Sequence, residues 1–297
     1  MAATRTEVEV EGRRLSLSNL DKVMYPATGF TKGHLIDYYT RVAPALLPHL
    51  RGRPLTLKRY PNGVEGQYFY EKNCPSHAPE WVRRASIPMG SKSMDFCVCD
   101  DLPTLVWLAN LADLELHPSL SLADPIERPT AMAFDLDPGE PAGVEQCREV
   151  ALLLRDVLEQ LDLYCLAKTS GSKGMQVYVP LNTDVSYDDT KPFSQALTRH
   201  LEGRHPKLIV SSQKKELRRG KVLIDWSQND EHKTTVCVYS LRARERPTVS
   251  TPLAWDEVEE ANADDLAFES SGVLERVDER ADLFAPVVEL EQALPAL

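Results

Sequence analysis

Two aspartates placed two positions apart are the residues best suited to chemistry. Asp135 and Asp137 end an apolar run, so residues 131–136 predict a β-strand. Because side chains alternate along a strand, both carboxylates face the same side of the sheet. Divalent ions such as Mg²⁺ prefer oxygen ligands and leave positions for substrate phosphates, as two-metal phosphoryl transfer requires. The alternative is a strand end followed by a turn.

A third aspartate lies inside another apolar run. Asp225 belongs to residues 222–226 (VLIDW), which also predict a strand. A carboxylate in such a strand is costly unless it is paired or bound to a metal. Three aspartates would suffice for two ions that bridge a triphosphate and a primer hydroxyl, whereas a salt bridge is the competing explanation for Asp225.

A glycine-rich segment offers a place for phosphate. Residues 170–174 (SGSKG) lie between two predicted strands, where glycines let the backbone approach a phosphate and Lys173 can contact it. The segment differs from a P-loop, since a P-loop is followed by a helix and residues 175–179 predict a strand. A phosphate-binding hairpin and a simple turn both remain open.

Two further features permit a functional or a structural interpretation. His117 follows a predicted buried helix and precedes a proline, where a hydrogen-bonded structural histidine is the commoner case. Aromatic residues 68–70 (YFY) are close in sequence to Lys58 and Arg59, a combination that suits stacking on exposed bases. Composition alone favours a place in the core for these aromatic residues.

The elements that must position these residues alternate irregularly. The predicted helices cover residues 31–50, 101–114, 143–161 and 190–202, with a bend or early end at Pro44 and a short helical start at 16–19. The predicted strands cover residues 55–57, 131–136, 164–168, 175–181, 208–211, 222–226 and 234–239. This order favours an α+β fold of mixed β-sheets flanked by helices. We expect one catalytic domain over residues 1–270 and an acidic C-terminal extension over 271–297, packed on the domain or trailing it.

Composition limits the function classes. A chain of 297 residues with 42% hydrophobic and 27% charged residues is typical of a globular protein, and no apolar run reaches the ~18–20 residues that cross a bilayer. The N-terminus lacks the pattern of a secretory signal. We therefore expect a cytoplasmic protein with no membrane partner. Its six scattered cysteines predict neither a disulfide nor a zinc site.

The net charge of −11 is concentrated at one end of the chain. From residue 256 onward, thirteen acidic residues face two arginines, so residues 1–255 are neutral. Within that neutral part the cations cluster at residues 58–59, 83–84 and 214–221. Local clusters of this kind bind phosphate even on an acidic molecule.

Five ordered segments resemble the polymerase domain of bacterial ligase D and its stand-alone relatives, members of the archaeo-eukaryotic primase superfamily. The segments are residues 18–29 with Lys32, then 134–139, 169–174, 222–229 and 239–244. The resemblance spans roughly residues 12–270. It implies a primase-like catalytic core and a DNA-dependent nucleotidyltransferase of the primase-polymerase type. Such an enzyme adds nucleotides, ribonucleotides preferred, to primer 3′ ends at short gaps or double-strand breaks that carry a 5′-phosphate.

The resemblance also assigns roles to individual residues. Two Mn²⁺ or Mg²⁺ ions would be held by Asp135, Asp137 and Asp225. The incoming nucleotide would be contacted by His117, Ser170, Lys173, Gln176, Gln228 and Arg242. The 5′-phosphate of the DNA would be bound by Asn19, Lys22 and Lys32. Template and primer would be contacted by Lys58, Phe69, Tyr70 and Arg218.

One position departs from the family pattern. Relatives usually carry His where this chain has Gln176, and an amide can donate a hydrogen bond to phosphate but cannot become cationic. Weaker triphosphate binding or a changed nucleotide preference is the resulting hypothesis, and Tyr70 also stands where Phe is frequent.

The resemblance extends to partners and cellular role. No ligase or nuclease motif follows the domain, so we expect a monomeric, nucleoid-associated polymerase in non-homologous end joining or gap filling. It would use NTPs or dNTPs and act with a separate DNA ligase and the end-binding protein Ku. The alternative is a non-catalytic module that binds 5′-phosphorylated DNA ends.

Overall fold

The computed structural model describes residues 5–90, 92–260 and 262–295. The chain forms two compact units, each assembled from three stretches of sequence. Unit 1 consists of Met1–Ser119, Val236–Val249 and Glu269–Asp282, and unit 2 of Leu120–Thr235, Ser250–Phe268 and Leu283–Leu297.

The strands of the described chain are β1 Arg5–Val10, β2 Arg13–Ser18, β3 Val23–Tyr25, β4 Phe30–Thr31, β5 Pro54–Arg59, β6 Phe69–Glu71, β7 Arg84–Met89, β8 Lys92–Val98, β9 Asp113–Pro118, β10 Ala131–Pro138, β11 Leu166–Thr169, β12 Met175–Pro180, β13 Ile209–Val210, β14 Val222–Asp225 and β15 Pro252–Leu253. The α-helices are α1 Lys32–Leu50, α2 Leu102–Asn110, α3 Val144–Gln160, α4 Tyr187–Arg204, α5 Trp255–Glu260, α6 Ser270–Arg280 and α7 Pro286–Glu289. Short 3₁₀ helices cover Lys215–Leu217, Trp226–Gln228 and Ala263–Leu266.

Unit 1 is built on a five-stranded antiparallel sheet. Its strands follow the order β6-β5-β8-β7, and β9 pairs with β5. Helix α1 begins after Thr31, whose hydroxyl accepts a hydrogen bond from the backbone N–H of His34. An early end of the helix at Pro44 is wrong, because α1 continues to Leu50. Buried side chains along the helix, including Val42 and Leu46, hold it in place despite the proline.

Three predicted elements of unit 1 differ from the structure. The predicted helical start at 16–19 is wrong, since β2 runs to Ser18 with alternate residues buried. Helix α2 ends at Asn110, earlier than predicted, because Ala112 takes a φ of +59° and the chain then enters β9. The predicted strand at 234–239 is absent from the described structure, and Tyr239 there takes a φ of +64°, which strand pairing does not allow.

Cysteine pairing also differs from the prediction. Cys74 and Cys97 of unit 1 form a disulfide with Cα atoms 4.8 Å apart, so the expectation of no disulfide is wrong. The pair is 23 residues apart in sequence, a separation that carries no local signal. The remaining cysteines are buried thiols, Cys99, Cys147, Cys165 and Cys237.

Unit 2 is built on a six-stranded sheet in the order β13-β14-β10-β12-β11-β15. All its neighbouring strands are antiparallel except β13 and β14. The apolar side of α3, including Val150 and Leu154, packs with Phe134, Leu136 and Val177 of the sheet in one core cluster. Mixed sheets flanked by helices confirm the predicted α+β class.

The acidic C-terminal residues contribute to both units. Helix α6 belongs to unit 1, where Val273 and Leu274 are buried. Beyond it, Phe284 of unit 2 contacts the ring of Tyr178, with ring centroids 5.3 Å apart. Among the described residues, none of the helices combines the length and the apolar composition that spanning a bilayer requires.

Candidate active site

A row of polar side chains crosses the sheet of unit 2. Asp135 on β10 lies directly opposite Asp225 on β14 and, on its other side, opposite Gln176 on β12. Gln176 in turn lies opposite Lys168 on β11. Directly opposed residues of antiparallel strands share a face, so the four side chains point to the same side of the sheet. Asp137, two residues beyond Asp135, shares this face.

The surroundings of Asp135 destabilise the ionised form of its carboxyl group. Burial and the negative charges of Asp137 and Asp225 raise its pKa to about 6, opposed by a hydrogen bond from Gln176 and by the charge of Lys168. The Gln176 amide donates to Asp135 Oδ1 at 2.9 Å and to Thr235 Oγ1 at 2.9 Å. Asp135 therefore faces an excess of negative charge that a divalent cation would neutralise.

Asp225 is oriented by the residues that follow it. The backbone N–H and hydroxyl of Ser227 donate to Asp225 Oδ1 at 3.0 and 2.5 Å, and the Gln228 amide donates to Oδ2 at 3.3 Å. Lys233 donates to the same Ser227 hydroxyl at 2.5 Å. The predicted nucleotide contact Gln228 is thus placed beside a predicted metal ligand.

The donor set fits hard divalent ions. Asp135, Asp137 and Asp225 offer oxygen atoms only, the ligands that Mg²⁺ and Mn²⁺ prefer. Among the described residues, no three acidic, histidine or cysteine side chains already surround one point closely enough to hold an ion.

The glycine-rich segment forms a tight hairpin turn between β11 and β12. The hydroxyl of Ser170 accepts from the backbone N–H groups of Ser172 and Gly174, each at 3.2 Å. A Cβ on Gly174 would lie 2.1 Å from the carbonyl oxygen of Leu136, so only glycine lets the turn pack against β10. Lys173 is exposed and donates to Glu140 Oε1 at 3.0 Å, a surface pair that is weak enough to exchange for a phosphate.

The cation cluster at residues 214–221 packs beside the end of β10. A Cβ on Gly139 would lie 2.0 Å from the carbonyl oxygen of Arg218, and Gly220 donates a backbone hydrogen bond to Gly139. The Arg218 guanidinium donates to the backbone and side chain of Gln213, at 2.8 and 2.5 Å. The backbone of Arg218, the predicted primer contact, therefore packs against Gly139, which lies two residues after Asp137.

In unit 1, the predicted nucleotide contacts His117 and Arg242 share one carboxylate. His117 Nε2 lies 3.1 Å and Arg242 Nε 3.3 Å from Glu115 Oε2. Lys58, a predicted template or primer contact, donates to the same oxygen at 3.0 Å. Burial lowers the pKa of His117, and the bond to Glu115 opposes that shift.

The predicted aromatic contacts are exposed. Phe69 and Tyr70 on β6 are 43% and 57% exposed, so the core placement that composition favours is wrong. Lys58 Nζ lies 5.6 Å from the ring centre of Tyr70, and the guanidinium carbon of Arg59 lies 5.1 Å from that of Phe69. Exposed rings beside cations are suited to stacking on nucleic-acid bases.

The three predicted 5′-phosphate contacts lie together near the start of α1. Asn19 takes a φ of +54° in a turn in which the Lys22 N–H donates to its carbonyl at 3.0 Å. The backbone N–H of Lys32 donates to the Lys22 carbonyl at 2.8 Å. Burial, with the charges of Lys22 and Arg59, lowers the pKa of Lys32 to about 8. Adjacent cations that destabilise each other are suited to a dianionic phosphate.

Several residues of these groups were missed at the level of sequence. Glu115 contacts His117, Arg242 and Lys58. Lys168 acts electrostatically on Asp135, and Lys233 bonds to Ser227, which in turn bonds to Asp225. All three belong to otherwise ordinary segments of the sequence. A signal existed for Glu115, because residues 113, 115 and 117 are all ionisable and alternate along one face of a strand. Lys233 had no such signal, since only the 3₁₀ turn after β14 brings it to Ser227.

Oxygen ligands on a sheet, next to a hairpin turn that packs against the same strand, suit phosphoryl transfer from a nucleoside triphosphate. The fold and this site define a nucleotidyltransferase of the primase-polymerase type.

Comparison with known proteins gives the family. The model of the LigD primase-polymerase domain matches residues 31–284, so the chain belongs to that family. The multifunctional non-homologous end joining protein LigD of Mycolicibacterium smegmatis is 43% identical over 276 residues, which are 92% of this chain and 36% of that protein. The bifunctional non-homologous end joining protein LigD of Bacillus subtilis is 34% identical over 247 residues, 83% of this chain and 40% of that protein. The chain thus spans well under half the length of these relatives.

A solved structure shows the same fold. The polymerase domain from Mycobacterium tuberculosis ligase D, in complex with DNA, aligns with a TM-score of 0.85 and 39% sequence identity. The alignment covers 94% of this chain and 99% of that one. The expected primase-polymerase core is therefore confirmed.

Proposed function

We propose that this protein is a DNA-dependent polymerase that adds nucleotides, ribonucleotides preferred, to primer 3′ ends at short gaps or breaks carrying a 5′-phosphate. The observation that carries the proposal is the register of β10 and β14, which sets Asp135 opposite Asp225 with Asp137 on the same face. The relatives are non-homologous end joining proteins and the related polymerase domain is in complex with DNA, which supports a role in DNA repair.

In this mechanism unit 2 carries the chemistry. Asp135, Asp137 and Asp225 would hold two Mn²⁺ or Mg²⁺ ions, and such ions would supply Lewis acidity to an attacking hydroxyl and to a leaving pyrophosphate. Ser170 and Lys173 bind the triphosphate, and Gln228 places its amide beside Asp225 to contact the nucleotide. Gln176 supports Asp135 through its hydrogen bond.

Unit 1 binds the substrates. His117 and Arg242 contact the nucleotide, Lys22 and Lys32 bind the 5′-phosphate together with Asn19, and the rings of β6 stack on the template. Arg218 of unit 2 contacts the primer end. A repair role also implies a monomer on DNA in the cytoplasm, associated with the nucleoid and acting with a DNA ligase and Ku.

Primer extension tests the proposal. A labelled primer on gapped DNA with a 5′-phosphate is incubated with protein, Mn²⁺ and either NTPs or dNTPs. We expect extension, favoured by NTPs, and loss of product in Asp137→Ala. Asp156→Ala, which removes an exposed carboxylate from α3, is the matched control and should extend normally. Absence of product from the unaltered protein on every template would instead indicate a module that only binds 5′-phosphorylated ends.

A further inference from the structure

Glu115 is a buried acid at the centre of a cluster of cations in unit 1. Its side chain is 2% exposed, and it lies on β9 directly opposite Lys58 of β5. His117, two residues further along β9, points to the same face. A carboxylate this deeply buried is costly unless hydrogen bonds and opposite charges surround it.

Four hydrogen-bond donors and one further cation converge on the two oxygens of Glu115. Oε1 accepts from the Tyr60 hydroxyl at 3.2 Å and from the backbone N–H of Ala243 at 3.0 Å. Oε2 accepts from Lys58 Nζ at 3.0 Å and from His117 Nε2 at 3.1 Å. Arg242 Nε lies 3.3 Å from Oε2 and completes the cluster.

These contacts determine the charge on Glu115. Burial alone would raise its pKa, but the hydrogen bond from His117 and the charges of Arg242 and Lys58 hold that pKa well below its usual range. The carboxylate is therefore ionised at neutral pH. One negative charge is surrounded by two permanent cations and by a histidine that can become a third.

Glu115 also limits the orientation of its neighbours. Because Nε2 of His117 donates to the carboxylate, Nδ1 is the ring nitrogen turned away from Glu115. The Ala243 N–H bond fixes the backbone immediately after Arg242, and the ion pair fixes one edge of the guanidinium. Both predicted nucleotide contacts are therefore oriented by the same acid.

We propose that Glu115 is the positioning residue for triphosphate recognition in unit 1, orienting His117 and Arg242 and balancing their charge with that of Lys58 until a nucleotide binds. The proposal rests on the proposed function, because it assumes that His117 and Arg242 contact the nucleotide. An incoming triphosphate supplies the negative charge that this cation-rich cluster lacks, while Glu115 keeps the two side chains preorganised.

Nucleotide binding without DNA tests this role. Calorimetry with ATP and with inorganic triphosphate compares the full chain with its Glu115→Gln variant, which retains the shape and removes the charge. We expect the Kd for both probes to rise about tenfold, in the range of a lost hydrogen bond to a charged group. A change confined to ATP would point to the base or sugar and would overturn the proposal.

A second histidine–carboxylate pair gives a matched control. His49 Nε2 lies 2.7 Å from Asp282 Oδ2 in the same unit, and neither residue is a predicted nucleotide contact. Asp282→Asn should leave both Kd values unchanged. Equal weakening by Asp282→Asn and Glu115→Gln would mean that the effect is general destabilisation of unit 1, and the proposal would fail.

The titration of His117 separates positioning from packing. Glu115 on β9, Lys58 on β5, Tyr70 on β6 and Arg242 face the ring, and Glu115 alone among them raises the pKa of His117. In Glu115→Gln we therefore expect the ring, followed by NMR, to titrate at lower pH, and triphosphate affinity to decline from a lower pH. An unchanged titration and an unchanged Kd would overturn the proposal.

A conservative variant covers the case in which Glu115→Gln does not fold. Glu115→Asp keeps the charge but shortens its reach, so we expect a smaller rise in Kd and a smaller fall in the His117 pKa. Wild-type values for both would refute positioning by Glu115. Primer extension by the unaltered protein is measured in parallel, because its absence would count against the proposed function, whereas extension with normal binding in the Glu115 variants would count against this inference alone.

Discussion

Individual charged residues with little solvent exposure lie in or beside the predicted binding groups. Lys168 is fully inaccessible, Lys32 is 5% exposed and Glu115 is 2% exposed, although such residues normally reach solvent. Each has polar partners: Lys168 donates to Ser250 Oγ at 2.7 Å, and Lys32 donates to the Ser18 carbonyl at 2.7 Å. Burying a charge costs stability, so its presence beside predicted ligands is consistent with a role in binding.

The first prediction concerns Lys32 and pH. Its lowered pKa means that the cation is present below about pH 8 and is lost as the pH rises through that value. We expect the preference for 5′-phosphorylated over 5′-hydroxyl gapped DNA to decline between about pH 7 and pH 9. Binding titrations with both DNAs measure it. Lys32→Arg, which stays protonated, should keep its preference across this range, and equal pH dependence in both proteins would contradict the prediction.

The second prediction concerns Gln176. Its amide nitrogen bonds to Asp135 and Thr235, while its oxygen lacks a hydrogen-bond partner in the described structure. Gln176→His keeps a donor and adds a group that can become cationic, so we expect ATP to bind several-fold tighter, more so at acidic pH. Gln160→His, at the exposed end of α3, is the control. Unchanged ATP affinity in Gln176→His would remove the hypothesis that this departure weakens triphosphate binding.

At the scale of elements, strand register and one tight turn assemble the site of unit 2. Antiparallel pairing of β10 with both β12 and β14 brings together residues about 40 to 90 positions apart in sequence. The hairpin after β11 reaches the same strand because Gly174 permits contact with the Leu136 carbonyl. The site is therefore carried by the rigid sheet and its shortest connection, which favours preorganisation.

A third prediction tests this packing. Gly174→Ala places a Cβ 2.1 Å from a backbone oxygen, so the turn must move away from β10. We expect loss of primer extension and a free energy of unfolding lower by about 1–3 kcal/mol. Gly203→Ala on α4 is the matched control, because nothing lies within 4 Å of its added Cβ. In Gly203→Ala, primer extension should be normal and the free energy of unfolding should rise by up to about 1 kcal/mol. Unchanged extension and unchanged stability in Gly174→Ala would refute the packing argument.

Considering the molecule as a whole, Asp282 and Gln292 near the C-terminus contribute to the two units. In unit 1, Asp282 accepts from the Tyr239 hydroxyl at 2.7 Å and pairs with His49. In unit 2, Gln292 bonds to Tyr164 and to the carbonyl of Pro180. These contacts support a structural role for residues 271–297, although their charge would repel DNA.

The fourth prediction follows from those contacts. Deletion of residues 271–297 removes α6 and the Phe284 ring, so we expect cooperative unfolding at a clearly lower temperature and little primer extension. Phe284→Ala alone should cost about 3–5 kcal/mol, since the ring is 2% exposed. Thermal unfolding followed by circular dichroism measures both. Replacing the exposed Glu275, Asp278 and Glu279 by amides is the control and should leave the unfolding temperature unchanged; normal stability after deletion would show that the segment only trails the domain.

Local pattern sufficed for much of unit 2. The apolar period of α3, the strand before Asp135 and the hairpin at residues 170–174 were all predicted close to their observed bounds. These elements are specified by the residues within them, because burial of one face follows the local period. The motifs they carry were also sufficient to indicate the family.

Other features depended on residues distant in sequence. The persistence of α1 through Pro44, the early end of α2 and the disulfide between Cys74 and Cys97 had no reliable local signal. Tertiary packing stabilised α1 despite Pro44. Ala112 adopts a left-handed backbone conformation, which ends α2. Cysteine pairing depends on the register of a sheet, which no short segment encodes.

The amino-acid sequence alone determined which residue types were available for metal, phosphate and base contacts, and in which order they occur. Tertiary structure alone decided that Asp225 lies opposite Asp135, that the β6 rings face solvent and that Glu115 gathers Lys58, His117 and Arg242. The physical reason is that the partners and the solvation of a charged side chain depend on chain segments remote from it in sequence. Those segments reach the side chain only when the strands pair into sheets.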